Sequence, residues 1–182
     1  DSGSADAPVL LAALAADSTQ PAIARASALE RLQPHAQADH LALVERLLSD
    51  RDPLVRAAAL RFLETTDVRT RVDLGWLLLE DDELVVRLEA ARILAPLLRQ
   101  QLPEKFRGQL TRAVEEYAAA QYVNAERAES QLNLGLIAVA TGDAEQAEES
   151  YRAAIRIDPR FAPGYVNLAD LYRQTGRDDR GE

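Results

Sequence analysis

The chain has no cysteine, no methionine and a single lysine, Lys105. Without cysteine it holds no disulfide, thiol nucleophile, Cys-zinc centre or covalently attached haem of its own. Aromatics are also scarce, at 5% of 182 residues. Because 47% of the residues are nevertheless apolar, the core must be built mainly from Ala, Leu and Val, a mixture that favours packed helices over a β-branched sandwich. No apolar run is long enough to span a bilayer, so membrane insertion is not expected. The polar start Asp1-Ser2-Gly3-Ser4 is no signal peptide. Methionine is missing even at position 1, and the last helical pattern stops at Glu182 just where a partner helix should begin. Both lead us to expect a piece of a larger protein. The net charge of −9 repels a phosphate backbone, and the acidic excess runs through both halves without a basic stripe. Nucleic acid is therefore not an expected partner.

What is present is repetition. Ala24-Arg25-Ala26-Ser27-Ala28-Leu29-Glu30-Arg31-Leu32 aligns with Val55–Leu63 and again with Val86–Leu94, a period of 31. Arg25, Arg56 and Arg87 fall in one register, as do Ala28, Ala59 and Ala90, and Leu32, Leu63 and Leu94. The spacing gives each block the apolar stripe of an amphipathic helix. First helices are expected over 6–16, 37–49 and 67–80, and second helices over 21–33, 52–66 and 82–101. Asp52-Pro53 supplies an N-cap followed by proline at the first helical position, and Asp81-Asp82-Glu83 places acids on a positive helix end. The D/E-x-x-V-R-x-x-A pattern at Asp52, Val55, Arg56 and Ala59, and at Glu83, Val86, Arg87 and Ala90, resembles HEAT repeats.

A second period, of 34, links Asn133-Leu134-Gly135 to Asn167-Leu168-Ala169 and Thr141-Gly142 to Thr175-Gly176. Small residues at Gly135, Ala169 and Ala147 permit close helix crossing, Tyr151 fills the space between helices, and Pro159 ends a helix. Counted from Ala128, Leu134, Gly135, Ala147, Tyr151, Ala154 and Pro159 stand at the signature positions of a tetratricopeptide repeat, which this segment resembles. Ala113, Tyr117 and Ala120 repeat the pattern upstream.

The expected fold is all-α: a right-handed α-α superhelical solenoid of about ten helices. Three HEAT-like pairs (1–103) would lead into a tetratricopeptide region (104–182), made of a degenerate half repeat 104–127, a full repeat 128–161 and a truncated repeat 162–182. Leu102-Pro103 is the expected joint, a bend without a Gly/Ser-rich linker.

No catalytic constellation is visible, and an enzyme is not expected. His35 and His40 near Asp39 read as a solvated turn rather than a metal site. Acidic neighbours such as Glu115-Glu116 and Glu148-Glu149 diverge around a helix and cannot converge on a substrate. The arginine ladder reads as pairing with Asp50, Asp52, Asp81 and Asp82 of neighbouring turns, or as an anion-binding strip. Trp76 reads as a core residue between helices.

The tetratricopeptide resemblance implies that first helices line a groove and that an asparagine in this register grips a bound peptide's backbone. It singles out Asn133 and Asn167, with Leu132, Leu136, Val139, Val166, Asp170 and Arg173 as groove neighbours. These asparagines could equally cap or bridge adjacent helices. The lysines of the family's carboxylate clamp are missing. The implied partner is a protein or extended peptide, and the implied role is a non-catalytic scaffold. The apolar face around Val166, Leu168 and Leu171 would also suit a homodimer through residues 161–175.

The order of parts, with Asn124-Ala125-Glu126-Arg127-Ala128-Glu129 and Asp158-Pro159-Arg160-Phe161-Ala162-Pro163, resembles the C-terminal region of bacterial multihaem c-type cytochrome proteins carrying HEAT-like and tetratricopeptide repeats. That resemblance implies a periplasmic protein, haem upstream of this chain but no cofactor within it, and a docking extension as the alternative role. Without it, the cytoplasm is the default compartment.

Overall fold

Asp52 caps the helix that follows it: its carboxylate accepts from Leu54 N–H at 2.9 Å, and Pro53 occupies the first helical position, where no N–H is needed. Asp67 and Asp143 do the same through Thr70 N–H and Gln146 N–H, each at 3.0 Å. Starts of this kind punctuate a computed structural model that describes residues 7–177. Expectations that fall on residues 1–6 and 178–182 lie outside the described residues. Among those described there are ten α-helices and no strand.

The chain divides into two compact units, Asp1–Leu94 and Ala95–Glu182. In the first, α1 (Ala7–Ala16), α3 (Leu41–Leu47) and α5 (Val68–Gly75) each precede a partner, α2 (Ala22–Leu32), α4 (Pro53–Phe62) or α6 (Leu84–Leu94). Each pair packs together, and the second helices also stack on one another in the order α2, α4, α6. The 31-residue register explains the stacking. Ala28, Ala59 and Ala90 are all buried and let the backbones approach, while Leu32, Leu63 and Leu94, each fully buried, fill the layer between repeats.

The expected helices are shorter than their sequence spans. The stretch 82–101 contains Pro96, which has no N–H to offer the preceding turn, so α6 ends at Leu94 and a 3-10 turn runs from Ala95 to Arg99. Pro34 sits in a similar turn, Gln33–His35, after α2. Beyond α4 the chain tightens over Leu63–Thr65, where Thr65 and Thr66 hydroxyls donate to Phe62 and Leu63 carbonyls at 2.8 and 2.7 Å. The spans 37–49 and 67–80 also split, into a 3-10 turn Ala38–His40 ahead of α3 and a 3-10 turn Trp76–Glu80 after α5. Trp76 is half-buried there.

The arginine register becomes a ladder of guanidinium contacts, two of them ion pairs. Arg25, 5% exposed, forks onto Asp50 (Nη1–Oδ1 3.2 Å, Nη2–Oδ2 2.5 Å) and donates Nε–H to Ala15 O at 3.1 Å. One period on, Arg56 forks onto Asp81 at 2.8 and 2.7 Å and reaches Asp50 O at 2.8 Å. Arg87 donates to Asp81 O and Asp82 O at 2.9 and 3.1 Å. Each guanidinium thus ties its own helix to a neighbouring inter-helix turn, and the planar fork suits a carboxylate.

In the second unit, α7 (Glu104–Tyr122), α8 (Ala128–Thr141), α9 (Ala144–Ile157) and α10 (Ala162–Gln174) pack in sequence, and α10 also touches α8. Gly142, at φ 91°, ends α8 in the left-handed conformation and sends the chain straight into α9. The core gathers Ala138, Ala147, Tyr151 and Leu171, with Leu132, Val139, Ala144 and Leu168 packed against it. At the 34-residue equivalents, Ala113 and Tyr117 of α7 are buried as Ala147 and Tyr151 of α9 are.

Gly135 has the tightest surroundings of the described glycines. A Cβ there would lie 2.3 Å from Tyr151 Cε1 and 2.5 Å from its Cδ1, so α8 and α9 meet edge to backbone only because residue 135 has no side chain. Burial, with Asp170 nearby, pushes the Tyr151 phenol up to about 12. The fold favours the neutral phenol, so this contribution to stability is fully present below the ordinary value near 10 and is lost as pH rises toward 12. An absorbance titration at 295 nm should show the Tyr151 phenol ionising late, and Asp170→Asn should bring it earlier.

Candidate peptide-binding face

The two repeat-register asparagines stand on α8 and α10, helices that touch, and both are half-buried. Asn133 Nδ2 donates to Gln121 Oε1 of α7 at 3.1 Å, which bridges two helices. Asn167 Nδ2 donates to Pro163 O, one turn back in its own helix, at 2.8 Å. Each primary amide has a second N–H and a carbonyl oxygen besides the donor used here. The amide of Gln121 is a partner that residue spacing did not single out. It lies one helix upstream of the full repeat, and only contact between α7 and α8 reveals it.

The neighbours divide into two groups. Leu136, 44% exposed, and Val166, 58% exposed, stand in solvent. Leu132 and Val139 instead pack against the Ala138–Ala147–Tyr151–Leu171 cluster and act mainly as walls of the core. Asp170 and Arg173 pair with each other along one face of α10. Asp170 also stands close enough to Tyr151 to oppose its ionisation, so this face carries one acid and one base.

The apolar surface expected at Val166, Leu168 and Leu171 is smaller than the sequence suggested. Leu171 is 4% exposed and belongs to the core, and Leu168 packs against it, because α10 turns that edge onto α8 and α9. Val166 remains open, and beside it Tyr165 is 48% exposed with its hydroxyl donating to Pro159 O at 3.1 Å. The far edge of α10 is held by Glu148, which accepts from the Tyr172 hydroxyl at 2.9 Å and from Arg177 at 2.8 Å. Burial acts against the ionised Glu148, yet the Tyr172 hydrogen bond and the charges of Arg152 and Arg177 together hold its carboxyl below the usual range.

Elsewhere the chemistry is structural. His40 Nδ1 accepts from Gln37 N–H at 3.2 Å, and its ring meets Phe62 edge to face. Among the described residues, no three His, Asp or Glu side chains are grouped to hold a metal ion, and no helix is long and apolar enough to cross a membrane.

Residues 128–161, which are α8, α9 and the turn after them, match the family model of the tetratricopeptide repeat. No curated protein and no solved structure matches the chain.

Proposed function

We propose that the chain is a protein-interaction module and that the α8–α10 face takes an extended peptide segment of a partner. The observation that carries this reading is the tetratricopeptide match over 128–161, a unit that commonly mediates protein–protein contact, combined with exposed Leu136 and Val166 beside the Asn133 and Asn167 amides. Each amide can present a donor and an acceptor to a peptide's C=O and N–H, a pairing indifferent to the peptide's sequence. The open Leu and Val would supply the side-chain preference, for apolar residues at two positions. The Asp170–Arg173 pair offers no net charge on which a C-terminal carboxylate could anchor.

Replacing Asn133 and Asn167 together by Ala should weaken a partner isolated by affinity capture by about 10- to 100-fold, at roughly 1 kcal/mol for each lost hydrogen bond. Titration calorimetry with wild-type and doubly substituted chains checks this. Equal affinity in the two chains would remove these residues from the site.

A further inference from the structure

The first unit contains two clefts related by its own repeat, and they differ in a way that points to a ligand. The first, of about 730 Å³, is lined by residues that include Ser18, Arg25, Arg46, Ser49, Asp50 and Arg51. The second, of about 520 Å³, has Ser49, Arg56, Leu77, Asp81 and Asp82 in the corresponding places, 31 residues on. Their floors are the same: a bidentate Arg–Asp pair, Arg25–Asp50 in one and Arg56–Asp81 in the other. Their rims are not. Where the second cleft carries Leu77 and Asp82, the first carries Arg46 and Arg51.

Arg46 and Arg51 are exposed, and neither guanidinium has an ion pair or hydrogen bond among the described residues. The charge of Arg25 is already matched by Asp50. The remaining carboxylate at the rim, Asp52, accepts from Leu54 N–H at the start of α4. The second cleft adds Glu45 and Asp73 to its acids. The first cleft is therefore lined by three arginines against two aspartates, and two of those guanidiniums stand unpaired in the same lining as two hydroxyls, Ser18 and Ser49.

We propose that the first cleft binds a phosphate group, with Arg46 and Arg51 as its charged donors and Ser18 and Ser49 as its neutral ones. Guanidinium forks together with hydroxyl donors match a tetrahedral dianion with several acceptor oxygens. The group can arrive as inorganic phosphate or as a phosphomonoester on a partner. This site lies in the other unit from the α8–α10 face and does not rest on the peptide reading.

The test is titration of the 182-residue chain with inorganic phosphate, O-phosphoserine and acetate, followed by the Nε–Hε resonances of its arginines. We expect one saturable phosphate site with Kd about 1 mM, shifts confined to Arg46 and Arg51, and acetate at least tenfold weaker. Installing the second cleft's rim, R46L/R51D, should abolish binding while leaving the thermal transition of Trp76 fluorescence in place. Equal affinity for phosphate and phosphoserine would identify the free group as sufficient, and tighter phosphoserine would identify a phosphorylated partner as the source. No saturable binding, binding that survives R46L/R51D, or acetate binding as tightly as phosphate would overturn the assignment.

Discussion

Replacing Gly135 by Ala should destabilise the second unit by about 3 kcal/mol, at the upper end of what an added methyl costs in a packed core. The new Cβ would fall 2.3 Å from Tyr151 Cε1, far inside contact distance, with Cδ1 and Cζ also under 3 Å. The ring cannot swing away cheaply: Tyr151 is 1% exposed and packed among Ala138, Ala147 and Leu171. Relief would require α8 and α9 to move apart, which opens the same core. Shortening the ring residue gives a second reading of the same contact. Tyr151→Leu alone should cost several kcal/mol through lost packing. Combined with Gly135→Ala it should cost clearly less than the sum of the two, because the methyl then enters space the ring has left. A double-mutant cycle by urea unfolding checks this. Additive losses would mean that residues 135 and 151 do not compete for one volume.

The second large effect is expected at Asp50. Asp50→Ala leaves the Arg25 guanidinium, 5% exposed, with Ala15 O as its one remaining hydrogen-bond partner among the described residues, and removal of one member of a buried pair costs about 3–5 kcal/mol. Replacing both members by apolar residues, as in R25M/D50L, should recover most of that loss, since no unpaired charge then remains buried. Asp52→Ala, two residues on, removes only a helix cap and should cost about 1 kcal/mol. The single tryptophan, Trp76, lies in the same unit and gives the fluorescence signal for these measurements.

The pair also sets an acid limit. Burial by itself would raise the Asp50 carboxyl, but hydrogen bonds from Arg25 and from Asp52 N–H, with the charges of Arg25 and Arg56, bring it below its ordinary 3.8. Asp81 behaves alike: burial opposes its ionisation, and Arg56, the Glu83 N–H and Arg87 more than offset it. A carboxyl lowered in the fold contributes stability that is present above the unfolded value and lost as pH falls through the folded one. Stability should therefore decline below pH 3.8, and the decline should be shallower in Asp50→Ala.

Much of this is legible in the residue pattern alone. The two periods, 31 and 34, come from recurring small and apolar residues, and such recurrence carries the all-helical fold, because a helix pair with one apolar stripe must bury it against the next pair. Helix ends were less legible. Pro96 and Pro34 were visible, but whether the chain stops or tightens into a 3-10 turn depends on which terminal carbonyls find donors, as the Thr65 and Thr66 hydroxyls do.

The candidate face divides along the same line. Residue spacing places Asn133 and Asn167 in one register, repeats Arg25 and Arg56 with Asp50 and Asp81 at a constant offset, and leaves residue 135 too small to fill space. Packing between helices is what brings Asn133 to Gln121, turns Leu132, Val139 and Leu171 inward while Leu136 and Val166 stay in solvent, and sets Arg46 and Arg51 over a cleft whose twin has Leu77 and Asp82. The reason is physical. Periodicity states which residues share a helix face, but the rotation of that face toward a neighbour is set by how side chains from different helices fill one volume.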